Sequence, residues 1–164
     1  MAEPINIDDV KAYLRVLSSD EDAKIAAMIP RARLWVEDHT GLALEQRQFT
    51  ERRRTERGAI RLFKGPLVSV DSVTYGEALE YTPRDFAPDT RIVAATGAAW
   101  PALDQEDAFE ITYTAGFASD AIDERLTGAM LALIEGEYST GQAYPQDAID
   151  AAERCCSYLR APVI

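Results

Sequence analysis

The segment Gly65-Pro66-Leu67-Val68-Ser69-Val70-Asp71-Ser72-Val73-Thr74-Tyr75 constrains the fold more than any other part of the chain. A Gly-Pro turn leads into a run whose apolar residues first alternate, at Val68 and Val70. They then change register, at Val73 and Tyr75, after the polar pair Asp71-Ser72. Alternation with a period of two marks a strand, and a slip in it predicts a bulge or an edge bend. A second phrase, Phe109 to Phe117, sets Phe109, Ile111 and Tyr113 against Glu110, Thr112 and Thr114, as a strand with one wet face should. Helical patterns flank these strands on both sides, so the order is helix–helix, small sheet, helix–helix.

Asn6 can cap a first helix, with Asp9 three residues on as its partner in a capping box. Val10, Tyr13 and Leu14 fall on one face of it. Ser18-Ser19-Asp20-Glu21-Asp22 starts a second helix, placing carboxylates where the helix dipole favours them. Ile25, Met28, Ile29, Ala32, Trp35 and Val36 form its apolar stripe, and Gly41 ends it. Pro30 removes one backbone bond inside this helix and predicts a kink. Ser119 or Asp120 would cap a third helix with Ile122, Leu126, Ala129, Met130, Leu133, Ile134 and Tyr138 inward, ending at Gly141. Pro145 suits the first turn of a fourth, with Ala148, Ile149, Ala152, Cys156 and Leu159 inward, and Pro162 stops it.

Leu44–Thr50 and Ala59–Phe63 read as strands around an arginine-rich connection that holds Arg52, Arg53, Arg54 and Arg57. It is either a solvated hairpin tip or a loop that docks on an acidic neighbour. Tyr81–Phe86 and Arg91–Ala94 add short strands, and Trp100 belongs to a loop tucked against the sheet. The chain ends on Leu159-Arg160-Ala161-Pro162-Val163-Ile164, an apolar tip on an acidic protein. Such a tip is a frayed end or a peg for a partner.

The 164 residues carry a net charge of −11, unevenly spread. Residues 45–64 hold seven basic and three acidic groups, whereas residues 65–120 hold two and ten. A sequence-independent DNA binder needs the opposite overall sign, because its affinity comes from neutralised phosphates. The acidic balance suits a surface that DNA passes without sticking. No apolar run approaches the ~20 residues of a membrane span, and Met-Ala-Glu-Pro does not begin a signal peptide.

Nothing in the chain assembles a catalytic set. The one histidine, His39, falls beside a helix C-terminus, where a structural or surface role suits it. Cys155 and Cys156 are adjacent, and neighbours on a helix point apart. They read as reduced small hydrophobes, with an intersubunit disulfide or metal ligation as the alternative. No zinc spacing, phosphate loop, dinucleotide fingerprint or nucleophile elbow is present, and no cofactor is expected. Asp20-Glu21-Asp22 lacks the twelve-residue calcium pattern.

The order and spacing of these phrases resemble the head–tail connector (adaptor) proteins of long-tailed phages and phage-derived gene transfer agents. The stretches that carry the resemblance are Val10–Val16, Asp20-Glu21-Asp22 with Trp35-Val36-Glu37 and Thr40-Gly41, Pro66–Tyr75, Trp100-Pro101 and Ile111–Phe117. The family pattern usually runs through the Pro30 position without proline, so this chain departs from it there. The resemblance implies an α+β, mainly helical connector fold over residues 1–164. Helices would span about 7–40 and 120–160, around an inserted small antiparallel β-sheet at about 44–114. It also implies a non-enzymatic virion protein, assembled in the bacterial cytoplasm and placed at the head–tail interface. About twelve copies would form a ring beneath the portal, through head-to-tail contacts between neighbouring copies. The ring would present a platform to a stopper or tail-side protein and let DNA through without specific binding. Leu159, Arg160, Val163 and Ile164, with the four arginines, are the expected docking residues. An acidic DNA mimic that sequesters a nucleic-acid-binding partner is the alternative from another class, and a small hydrolase is the third.

Overall fold

A computed structural model describes residues 3–54, 59–75, 77–78, 81–86, 89–94, 100–101, 108–118 and 121–159. The chain divides into a helical unit, formed before residue 41 and again after residue 117, and a sheet unit between them. The helical unit holds α1 (Ile7–Leu14), α2 (Asp22–Thr40), α3 (Glu124–Thr140) and α4 (Gln146–Cys156).

Local signals fix the helix ends. Asn6 Oδ1 accepts the Asp9 N–H at 2.8 Å, as the capping pattern predicts. Asp123 caps α3 by accepting from the Arg125 N–H at 2.8 Å, so the helix starts later than Ser119 or Asp120 would have it. Both of those residues lie outside the described ones. Gly141 closes α3 in the left-handed conformation, its N–H bonded to the Glu137 carbonyl. Pro145 is the N-cap residue of α4 and not its first turn. Pro30 lies inside α2 and the helix continues through it. The bond it lacks would go to the Ala26 carbonyl, and Ala26 is exposed, so water can replace it.

The helical core is built from most of the expected stripes, but Ile122 precedes α3, and α4 ends at Cys156, short of Leu159 and of the Pro162 stop. Ile25, Met28, Ile29, Ala32 and Val36 of α2 are buried, as are Leu126, Ala129, Met130, Leu133 and Ile134 of α3. Ala148, Ala152 and Cys156 supply the α4 face. Trp35 is only half-buried, because its ring stacks on His39 one turn later, 4.6 Å between centroids and 10° from parallel.

The sheet unit holds two antiparallel sheets where the sequence suggests one. The first has the order β1 (Arg47–Arg53), β7 (Phe109–Ala115), β3 (Leu67–Tyr75), β4 (Glu77–Ala78). The second has the order β2 (Ala59–Arg61), β6 (Asp89–Ala94), β5 (Tyr81–Phe86). β1 and β2 therefore do not form the expected hairpin; β1 pairs with β7 and β2 with β6. Burial along β7 alternates as its sequence does, with Phe109, Ile111 and Tyr113 fully buried. They share a core with Ile60, Leu62, Val73 and Ala115, and Trp100 packs on its margin.

The register slip in β3 is real. Pairing with β7 shifts between Leu67 and Ser69 and again between Val70 and Ser72. Asp71 is the extra residue of the second bulge. Its carboxylate accepts from Gln48 Nε2 at 2.7 Å and from Ser69 Oγ at 3.2 Å. The Gly65–Pro66 peptide is cis. Pro66 accepts the Gly116 N–H at 2.9 Å, and Gly116 has φ +127°, a conformation closed to other residues. A Cβ there would stand 2.3 Å from the Glu45 carbonyl oxygen.

Candidate docking surfaces

The four arginines singled out in the sequence have different fates. β1 runs to Arg53, three residues past the expected strand end, so Arg52 and Arg53 stand in a sheet and not at a tip. Successive side chains alternate: Arg47, Phe49, Glu51 and Arg53 are half-buried, and Gln48, Thr50 and Arg52 are exposed. Arg53 is held by its own chain. Its guanidinium lies 3.0 Å from the centroid of the Phe63 ring, and its Nε donates to Glu51 Oε2 at 3.2 Å. Glu51 Oε1 accepts the Phe63 N–H at 3.0 Å, so one carboxylate ties Phe63 to β1. Arg52 points to the other face, in register with Glu110. Arg54 is exposed just beyond the strand, and Arg57 lies outside the described residues.

On the same face as Arg52 the sheet is polar. Thr50 and Thr112 hydroxyls meet at 3.1 Å across β1 and β7, and Thr74 Oγ1 donates to the Glu110 carbonyl at 3.4 Å. Phe63 is 65% exposed despite its cation partner, which leaves an apolar surface beside the basic strand.

At the other candidate surface, α4 ends in a turn where Leu159 is half-buried and its N–H bonds to the Cys156 carbonyl at 2.9 Å. Tyr158 is 84% exposed, with the Arg125 guanidinium 5.8 Å from its ring centroid. Arg160, Val163 and Ile164 lie outside the described residues. Cys155 is half-buried and Cys156 buried, and neither forms a disulfide.

Sequence patterning missed the charged groups inside the helical unit. Arg33, Glu37 and Glu137 are buried. Arg33 reaches Glu3 at 2.8 Å and Glu37 at 3.4 Å. Glu137 Oε1 pairs with Arg31 at 2.6 Å, while its Oε2 is buried without a hydrogen-bond partner among the described residues. Two tyrosines tie helices to one another. Tyr13 Oη donates to Glu135 Oε2 at 3.0 Å, and Tyr138 Oη donates to Glu21. Burial, then the Glu135 carboxylate, raises the Tyr13 phenol above its ordinary value. The hydrogen bond to Glu21 raises Tyr138, and burial chiefly raises Tyr144 and Tyr113.

The chemistry of these groups is that of structural contacts. His39 Nε2 lies 3.9 Å from a Glu153 carboxylate oxygen, and its ring is committed to the Trp35 stack. Among the described residues no cluster of three or more His, Cys, Asp or Glu side chains could hold a metal. No described helix is long and apolar enough to cross a membrane.

The family model for the Head completion protein matches residues 3–144, taking in parts of both units. No curated protein matches the chain. Several solved chains share its fold, three of which are as follows. A chain in the neck of an empty GTA particle computed with C6 symmetry is 22% identical, with a TM-score of 0.75 over 100% of this chain and 95% of that one. A chain in the virion of a native gene transfer agent (GTA) particle is 20% identical, with a TM-score of 0.74 over 98% and 91%. A chain in the neck of a native GTA particle computed with C12 symmetry is 22% identical, with a TM-score of 0.69 over 100% and 94%.

Proposed function

Because the chain belongs to the Head completion protein family, we propose that it acts as a structural head–tail connector, one copy of a ring at the neck of a phage-like particle. The observation that carries this reading is the family match, which spans the four-stranded sheet and helices from both ends of the chain. The fold shared with chains of GTA particles supports it. The C12 symmetry of one such neck suits a ring of about twelve copies, each offering two different patches to its neighbours.

In this reading the protein is not an enzyme. It sits beneath the portal protein at the head–tail interface, extends the DNA channel and carries a stopper or tail-side protein. A net charge of −11 lets DNA slide past without adhering. Arg52, Arg54 and Arg57 meet an acidic surface on a neighbour, whereas Arg53 supports them from within β1. Leu159, Arg160, Val163 and Ile164 dock on the portal or an adjacent copy. The test is removal of the protein from particle-producing cells. DNA-filled heads without tails are expected, with tails restored by the wild-type chain. Tailed, intact particles in its absence would overturn the reading.

A further inference from the structure

We infer that residues 3–16, with α1 at their centre, form a strap that opens from the helical unit as one piece while α2, α3 and α4 stay packed. This inference is independent of the connector reading. The strap puts only Ile5 and Val10 into the core, whereas α2, α3 and α4 bury thirteen apolar side chains among themselves. Its backbone is self-contained: α1 is capped by Asn6 at one end. At the other end the Arg15 and Val16 N–H groups return to the Ala12 and Lys11 carbonyls. Among the described residues, no backbone bond joins the strap to the later helices. Arg15, at φ +59°, and the fully exposed Leu17 make the joint to α2.

Besides those two buried side chains, three polar ties hold the strap down, and in two of them water reaches the inner partner. Lys11 pairs with Asp22 at 2.6 Å, Glu3 with Arg33 at 2.8 Å, and Tyr13 with Glu135 at 3.0 Å. Each inner partner can do without it. Asp22 is 41% exposed, Glu135 is exposed, and Arg33 keeps Glu37 within its own helix. Opening therefore strands no buried charge, the usual reason such a segment stays shut. Two of the three ties are ion pairs, which salt screens. Local opening with few buried apolar contacts and solvent-reached ties is the signature of a low-stability unit. Once detached, an eight-residue helix frays in water, so its amides exchange.

Hydrogen exchange on the intact full-length protein, read by mass spectrometry, tests this. Amides of Val10–Leu14 should exchange at least about 100-fold faster than those of Met130–Ile134, after correction for intrinsic rates. Raising salt about tenfold should speed α1 exchange about threefold and leave α3 unchanged. Tyr13→Phe, which keeps the ring and loses the bond to Glu135, should speed α1 alone by about threefold. A common rate for α1 and α3 would overturn the inference. So would a variant or salt effect that touches both helices equally, or one that leaves α1 unmoved.

Discussion

Gly136 of α3 lies so close to α4 that a Cβ added to it would stand 2.4 Å from the Ala148 Cβ and 2.9 Å from Pro145 Cγ. The two helices are in contact through the glycine's missing side chain. Gly128, two turns earlier on α3, has nothing within 4 Å of the same added atom. Gly136→Ala should force α3 and α4 apart and destabilise the protein by about 1–3 kcal/mol. Gly128→Ala should stabilise it by up to about 1 kcal/mol, because a helix interior favours alanine. Urea midpoints at constant m-value check both. Equal effects at the two sites would contradict the close crossing.

Arg52 and Arg53 should separate in function. Arg53→Ser removes the cation from the Phe63 ring and one partner of Glu51, at a cost of about 1 kcal/mol in stability. Arg52→Ser should leave stability within about 0.5 kcal/mol, because Arg52 is exposed. It should instead weaken ring assembly most at low salt, where surface attraction is least screened. Sedimentation at two ionic strengths, beside thermal melts of the monomer, distinguishes the two roles.

Tyr13, Tyr113, Tyr138 and Tyr144 all have phenols raised above the ordinary value of 10.0. A raised folded value means that the protonated phenol is the form the fold favours. The stability it contributes is present below the unfolded value and is lost as pH rises through the folded one. Urea midpoints should therefore fall above about pH 10. In Tyr13→Phe or Tyr138→Phe the fall should be shallower. Midpoints flat to higher pH in the wild type would show that neither the burial nor the carboxylate contacts of these phenols persist in solution.

Truncation after Tyr158 removes Leu159, Arg160, Val163 and Ile164 and leaves all of α4. The shortened protein should keep its circular dichroism and melt within a few degrees of the full chain, a shift of about 1 kcal/mol or less. It should not join portal-bearing heads. Full heads with tails attached, made with the truncated chain, would reduce the tip to a frayed end.

Much of this architecture is legible in the residues, and the rest is hidden for identifiable reasons. Phe109, Ile111 and Tyr113 announce β7 because alternation is local, and Asp71 announces the β3 bulge for the same reason. Periodicity gives a face but not a depth, so Trp35 belongs to the α2 stripe yet ends half-buried on His39. Strand partners are set by topology. Arg52 finds Glu110 and Ile60 finds Ile92, and nothing near either residue says so. Glu137 looks like an exposed helix position until Arg31, more than a hundred residues away, comes to meet it. Of the expected docking residues, Arg52 and Arg54 are exposed, while Arg53 is spent on Glu51 and Phe63, a use that only the fold of the 62–64 segment creates.

The sheet unit closes on itself where the chain enters and leaves it. The Phe117 N–H bonds to the Ala43 carbonyl at 3.2 Å, and Gly65 joins the same entry segment from within, its carbonyl accepting the Ala43 N–H at 2.7 Å. A polypeptide clasped at its own doorway asks little of the helices that precede and follow it. A change of length in the loops between its strands therefore leaves the two ends of the unit where the clasp holds them.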